Sequence, residues 1–265
     1  MKTSNMIHFT GDIHGGFASC VFYLTQMNGL KSCNVIVCGD IGMGFYNLNY
    51  YKDTLKHINK KLDKCDVDLY FVRGNHDNPI YFTDDTPLDI DFKHIHFVHD
   101  YDVLNIGNHN ILCIGGATNT DNWHREMNKS RWEGDCVQQN DVTQFKNIDI
   151  VVSHCAPMFV SPEYKCYKGM TIEDDENAKR DRNILSNVYV DLIKSGNNLR
   201  FWFYGHYHKH YNTFVPNENL TDIDERMLRL GTLINETDFD KGCQFIGLNM
   251  LENKEQKIDI HSIFI

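Results

Sequence analysis

Five times along this chain a short apolar run stops at Asp, Asn or His, and that recurrence restricts the available folds more than any other feature. Met6–Thr10 runs into Gly11-Asp12-Ile13-His14, and Asn34–Cys38 into Gly39-Asp40. Asp68–Val72 ends in Arg73-Gly74-Asn75-His76-Asp77, and Ile148–Ser153 in His154-Cys155-Ala156-Pro157. Leu199–Tyr204 delivers Gly205-His206-Tyr207-His208. Runs of this length, rich in β-branched and aromatic residues, read as strands. Between the first three lie two helical stretches: Phe17–Met27, stopped by Asn28-Gly29, and a Lys-rich segment with Leu55, Ile58 and Leu62 at helical spacing. Alternating strands and helices imply parallel strands with right-handed crossovers, whose carboxyl ends gather at one edge of the sheet where ligands bind.

The middle of the chain changes rhythm. His94–Val98, Val103–Ile106 and Asn110–Gly115 are short strands on tight turns, so the sheet is expected to become mixed or antiparallel. Residues 117–135 and 158–177 read as long surface loops, the second carrying the acidic run Glu173-Asp174-Asp175-Glu176 as a solvated segment. A short helix is predicted near Val137–Lys146 and an amphipathic one over Ala178–Lys194, with Ile184, Leu185, Val188 and Leu192 on one face. Arg226–Leu230, Cys243–Leu251 and Lys257–Ile265 alternate like an antiparallel meander. His94 and His96 share one strand face and are expected on a wet sheet surface. With 265 residues, no repeats and no low-complexity linker, the expectation is one α/β domain over 1–265.

Carboxylates, an amide and imidazoles converging at one edge are the ingredients of a metal site. Each motif alone has a plainer reading, since Gly-Asp after a strand is ordinary turn chemistry. The pair His206/His208 is the sharpest, because on a strand residues two apart face one side. Three Asp/Asn oxygens and four imidazoles exceed what one ion takes. They suit two cations sharing a bridging carboxylate, roughly 3.5–4 Å apart. Mixed N/O ligands without thiolate fit Mn, Fe, Zn or Co, with Mn favoured.

These motifs, in this order, resemble the calcineurin-like metallophosphoesterase superfamily over nearly the whole chain. The resemblance implies a four-layer α/β/β/α sandwich of two mixed β-sheets, with a dinuclear metal site at the strand carboxyl ends. It assigns Asp12, His14 and His208 to one ion, Asp40 to a bridge, and Asn75, His154 and His206 to the other. It implies hydrolysis of phosphate mono- or diesters by a metal-bridging hydroxide attacking in line, the cations offsetting charge on the phosphoryl oxygens. His76 is then a catalytic group beside the leaving oxygen, and Asn75 also lies against substrate. Asp77 orients either His76 or a neighbouring loop, and Arg73 offers a fork for phosphate, weighed against an ordinary salt bridge.

Gly11–Phe17 and Phe71–His76 also look like Ser/Thr protein phosphatases, which is an alternative reading. Those enzymes carry an Asp-Arg pair where Met43-Gly44 stands here, and a Glu in place of Asp77. Gly115-Gly116-Ala117, Asp121, Arg125 and Trp132 resemble a loop of phage and bacterial metallophosphoesterases, and there Arg125 is either the source of the missing phosphate contact or a solvent-exposed loop arginine. A different class is a non-catalytic metal-binding scaffold, disfavoured because all seven ligand positions and His76 are filled. Net charge is −10, from 26 basic and 36 acidic residues, which argues against nucleic acid as a partner. The substrate expected is a phosphorylated small molecule, a nucleotide or a phosphoprotein. Nine cysteines without a C-x-x-C pair, no visible signal peptide and no apolar run of membrane-spanning length suggest a soluble cytoplasmic protein.

Overall fold

The computed structural model describes residues 6–119, 126–127, 129, 131–166, 169–216, 242–251 and 260–264. Its strands are β1 (Met6–Thr10), β2 (Asn34–Val37), β3 (Asp68–Phe71), β4 (Ile95–Phe97), β5 (Val103–Ile106), β6 (His109–Ile114), β7 (Ile150–Ser153), β8 (Phe201–Tyr204), β9 (Tyr211–Pro216), β10 (Gly242–Gly247) and β11 (Ile260–Phe264). They form two mixed sheets, ordered β11-β1-β2-β3-β4 and β5-β6-β7-β8-β10-β9. Strands β1 to β4 are mutually parallel, as are β6, β7, β8 and β10, while β11, β5 and β9 run antiparallel at the edges.

The central parallel strands β1, β2, β7 and β8 are buried on both faces, which is why they read as nearly continuous apolar runs rather than alternating ones. In β2, Ile36 faces the second sheet while Val35 and Val37 face the helices. The layer between the sheets holds Ile7, Phe9, Val72, Ile150, Val152 and Phe203, with the rings of Phe9 and Phe203 stacked 3.8 Å apart. Burying side chains of this size stabilises the fold by roughly 1.5–3 kcal/mol each. Helix α1 (Phe17–Phe22), prolonged by a π-helical turn Tyr23–Met27, and helix α2 (Leu48–Cys65) cover the first sheet. The Asn47 side chain caps α2 by accepting from Tyr50 N at 3.0 Å, and Tyr51, Leu55, Ile58 and Leu62 form its buried stripe. Helix α3 (Ile172–Lys194) covers the second sheet through Leu185, Val188, Tyr189 and Leu192. Helix, sheet, sheet, helix is the layering expected from the sequence.

Several local expectations are corrected. Helix α3 begins at Ile172, not Ala178, so Glu173–Glu176 is its first turn and not a solvated loop. Thr171 Oγ1 accepts from Asp174 N at 3.1 Å and Asp174 Oδ2 accepts from Thr171 N at 3.2 Å, a reciprocal cap. Acidic side chains there also complement the positive end of the helix dipole. No helix forms over Val137–Lys146; Asp141 instead accepts from the backbone N–H and hydroxyl of Thr143 and holds a turn. The tail is not a meander. Strand β10 inserts between β8 and β9, β11 crosses to the other sheet beside β1, and Arg226–Leu230 lies outside the described residues. His94 is buried, not on a wet surface, its ring nitrogens 2.8 Å from Asp68 and 3.0 Å from Asp63. No helix among the described residues is long and apolar enough to cross a membrane. The nine cysteines are free thiols, and six of them are buried packing residues, Cys38 and Cys155 beside the motifs included.

Candidate metal centre

Strands β1, β2, β3, β7 and β8 all end at the same edge, and the loops that follow them bring the seven predicted ligands together. Asp12, His14, Asp40 and His208 each offer an atom within 4.8 Å of the others. His14 Nε2 and His208 Nε2 are 3.1 Å apart, and Asp12 Oδ2 lies 3.0 Å from His208 Nε2. On the other side of Asp40, His154 Nε2 is 3.3 Å from Asp40 Oδ1 and 2.9 Å from Asn75 Oδ1. The His206 ring stacks edgewise on His154 with centroids 5.0 Å apart. Asp40 therefore stands between two half-sites, as the bridging position requires.

The backbone is held in an uncommon shape to achieve this. His14, Asp40, His206 and His208 all have positive φ, at 42°, 50°, 69° and 52°. Non-glycine residues in that region are strained by about 1–3 kcal/mol each, and such strain collects where function demands a particular side-chain direction. His206 and His208 are thus not on a strand, as expected, but on the loop beyond β8. Its left-handed residues send His206 to one half-site and His208 to the other. Two glycines permit the close approach. A Cβ on Gly39 would sit 2.1 Å from His154 Nδ1, and one on Gly74 would sit 2.1 Å from Asp40 Oδ1.

Electrostatics fit a cation. Asp12 Oδ2 is fully buried, and no described group donates a well-directed hydrogen bond to it. A buried carboxylate oxygen without a donor is costly unless a positive charge faces it. Burial pulls the Asp40 carboxyl upward, but His154, His76 and His14 outweigh it and hold Asp40 well below the usual carboxylate range. Burial likewise works against a charged His154, yet Asp40 and Asp12 raise its pKa to about 9. His154 Nδ1 donates to Cys38 O at 2.8 Å, which leaves Nε2 as the nitrogen aimed at Asn75 and Asp40. Burial and the neighbouring His154 charge push His206 down to about 3, so its imidazole is neutral with a free lone pair. Carboxylates, a neutral imidazole and an amide oxygen crowd one small volume, and oxygen and nitrogen donors of this kind suit hard or borderline divalent ions.

His76 lies beside the half-sites rather than in them. Its Nε2 is 3.6 Å from Asp40 Oδ2, its backbone N–H donates to Asp40 Oδ1 at 2.9 Å, and its side chain is 12% exposed. It faces the solvent side of the centre, where a substrate would arrive. Next to His206 and His208 opens a cavity of about 230 Å³, lined also by Tyr164, Lys165, Arg182 and Tyr207.

Two predicted substrate or catalytic residues turn out to be structural. Arg73 is 2% exposed, and its guanidinium donates to the carbonyls of Gly134, Asp135 and Cys136 and to Asp100 Oδ2 at 2.7 Å. With its donors occupied by these four groups it is not a phosphate fork. Asp77 does not touch His76. Its carboxylate accepts from the backbone N–H groups of Gly74, Ile41, Gly42 and Met43, at 2.7, 3.1, 2.7 and 2.8 Å. Of its two expected roles it fills the second, clamping the loop after β2 to the loop after β3. Asp121 and Arg125 lie outside the described residues. Two residues that sequence reasoning missed, Asn119 and Asp135, sit directly behind Asn75. The only signal near them was the Gly115-Gly116-Ala117 turn, which marks a bend but names no polar partner.

The sequence model of calcineurin-like phosphoesterases matches residues 6–210. The crystal structure of TT1561 of Thermus thermophilus is similar at a TM-score of 0.50 and 11% identity, covering 98% of this chain and 99% of that one. A structure described as a novel archaeal phosphodiesterase aligns at a TM-score of 0.37 and 11% identity, over 98% of this chain and 99% of that one. The first likeness bears on fold alone. No curated protein sequence matches the chain.

Proposed function

The chain belongs to the calcineurin-like phosphoesterase family, whose members hydrolyse phosphoesters with metal ions, and from that premise we propose that it cleaves small phosphate mono- and diesters. The observation that supports this most is the convergence of seven ligand-type side chains and His76 at one sheet edge, with Asp40 between two half-sites. In this reading Asp12, His14 and His208 would hold one divalent ion and Asn75, His154 and His206 the other, with Asp40 as the carboxylate between them. Such a pair, when bound, activates water and offsets negative charge on the phosphoryl group.

The chain's own groups do the rest. Asp40 stays ionised at every ordinary pH, because its three imidazole neighbours outweigh the cost of burying it. His206 arrives neutral and needs no deprotonation to act as a ligand. His76 is placed to hold a proton at Nε2 for the departing oxygen. Asp77 keeps the loops bearing Asp40 and His76 in register through its four backbone hydrogen bonds. A phosphodiester carries a second organic group, and the cavity beside His206 and His208 offers room for it between Tyr164 and Tyr207.

The reading is tested with Mn²⁺-loaded protein on p-nitrophenyl phosphate, bis-p-nitrophenyl phosphate and a phosphopeptide. Metal-dependent release of nitrophenol from either small ester is expected, with the phosphopeptide slower. Faster cleavage of the phosphopeptide would favour the protein-phosphatase alternative. Inertness toward all three at full metal loading would leave the metal-binding scaffold.

A further inference from the structure

Behind the half-site of His154, Asn75 leads back to two buried side chains that the chemistry above does not use. Asn75, Asn119 and Asp135 are 2%, 1% and 7% exposed. Asn119 Nδ2 is 2.6 Å from Asp135 Oδ2, and Asn75 Nδ2 is 2.6 Å from Asn119 Oδ1. From these contacts we infer that Asp135 and Asn119 are positioning residues: they set the direction of the Asn75 amide, so that its oxygen and not its nitrogen faces the cations.

The direction follows from what each group can do. Asn119 Nδ2 also faces the backbone carbonyl of Asn75 at 3.4 Å, which only accepts, so the Asn119 atom between that carbonyl and the Asp135 carboxylate is the NH₂. The Asn119 oxygen is thereby turned toward Asn75, and an amide oxygen must be met by a donor, so Asn75 presents its own NH₂ there. One choice remains for Asn75 Oδ1, and it lies 2.9 Å from His154 Nε2 in the half-site. The second N–H of Asn75 points at His76 Nδ1, 3.4 Å away, which favours the His76 tautomer with its proton on Nε2. A single polarity, originating at Asp135, thus reaches both a cation ligand and the proton-bearing group. Arg73 fixes the origin of this chain, since Nη1 donates to the backbone carbonyl of Asp135 at 3.0 Å. The Ala117 N–H donates to the same carbonyl at 3.0 Å, tying in the turn that leads to Asn119. Groups that orient metal ligands in this manner are typically worth 10- to 100-fold in affinity.

The inference rests on the two-cation reading, and the test separates the two. Mn²⁺ binding to the full-length protein is measured by calorimetry, with stoichiometry checked by elemental analysis and melting of the metal-free forms followed in parallel. The parental protein is expected to take two ions. In Asp135→Asn the side chain that could only accept is gone: the new amide can present its NH₂ as well as its oxygen to Asn119, so both following amides are free to reverse and Asn75 can turn its NH₂ on the half-site. One ion should then weaken on the order of 10- to 100-fold while the other is unchanged. Asn119→Leu removes the oxygen that accepts from the Asn75 NH₂ and should show the same selective loss. The combined exchange Asn119→Asp with Asp135→Asn rebuilds the polarity, because the carboxylate at 119 accepts from Asn75 and from the amide at 135, and should recover both ions. A lesion that merely loosens packing would not be repaired by exchanging the two side chains. Unchanged binding of both ions in Asn119→Leu, or a combined exchange that loses one ion, would overturn the inference and leave the function standing. If a single variant does not fold, the combined exchange decides alone: two ions uphold the polarity, one ion overturns it. A parental protein that takes up no Mn²⁺ overturns both readings.

Discussion

Raising the pH should tighten divalent-ion binding, and the size of the effect can be worked from one residue. His154 Nε2 lies 3.3 Å from Asp40 Oδ1 and 2.9 Å from Asn75 Oδ1, so a proton held there competes with a cation for the same place. Burial disfavours that proton, but the carboxylates of Asp40 and Asp12 prevail and raise the pKa from 6.5 to about 9. A ligand must be deprotonated before it binds metal. At pH 7 a group with a pKa near 9 is almost entirely protonated, and binding has to displace its proton at a cost of about 100-fold in apparent affinity. The apparent Kd should therefore fall about tenfold per pH unit through the range between roughly 7 and 8.5, levelling toward 9. His208, whose pKa is raised by its hydrogen bond with Asp12, should add to the slope. The same shift makes His154 a stabiliser of the metal-free fold. A histidine with a raised native pKa contributes its full stabilisation below the unfolded value of about 6.5 and loses it as pH climbs toward 9. The metal-free protein should thus melt lower with rising pH over the interval in which the Mn²⁺ complex gains affinity. Calorimetry in buffers of different ionisation enthalpy, at pH 7 and 8, counts the released protons, and about one per bound pair of ions is expected. Proton release near zero, with a Kd flat across this range, would show that His154 is already neutral and that the carboxylates do not hold its proton.

Two further outcomes are expected. Asp77→Ala removes the acceptor for four backbone N–H groups while relieving a buried carboxyl whose pKa is raised to about 6 by burial and Asp40, so a net loss of about 2–4 kcal/mol is expected. Chemical denaturation measures it, and a variant as stable as the parent would show that the clamp is dispensable. His76→Ala should lower turnover by roughly 10²–10⁴-fold while both Mn²⁺ ions remain bound, because its ring stands outside the two half-sites. An emptied half-site in that variant would move His76 from proton donor to ligand.

Much of this was legible in the linear sequence. Strand runs ending in Asp12, Asp40, Asn75, His154 and His206 announced both the parallel core and the edge where a site would form, since a strand's period and its terminating residues are local properties. The amphipathic stripe of α2 was equally local: Leu55, Ile58 and Leu62 are buried as their spacing predicted. Features depending on partners distant in the chain were not legible. Glu173–Glu176 looked like a solvated loop because a helix made of charges has little apolar period in its first turn, and only the cap by Thr171 revealed it. The strands Gly242–Gly247 and Ile260–Phe264 looked like neighbours, but which sheet edge a strand joins is set by the vacancy it finds and not by its own residues.

The division is sharpest at Arg73, Asp77 and Asn119. Chemistry by residue type suggested Arg73 as a phosphate fork and allowed Asp77 to orient either His76 or a loop, because Arg and Asp beside a Gly-Asn-His turn are as suitable for that as for anything else. Tertiary structure decided otherwise: surrounding backbone carbonyls claimed the guanidinium, and four converging N–H groups claimed the carboxylate. Asn119 carried no sequence signal at all, since an asparagine in a polar loop is unremarkable until a carboxylate on one side and an amide on the other give it a direction. Which residues can serve as ligands is a property of the side chains and was written in their order. Which way an amide points, or whether a charge is free to meet substrate, depends on hydrogen-bond partners that only folding brings within about 3 Å.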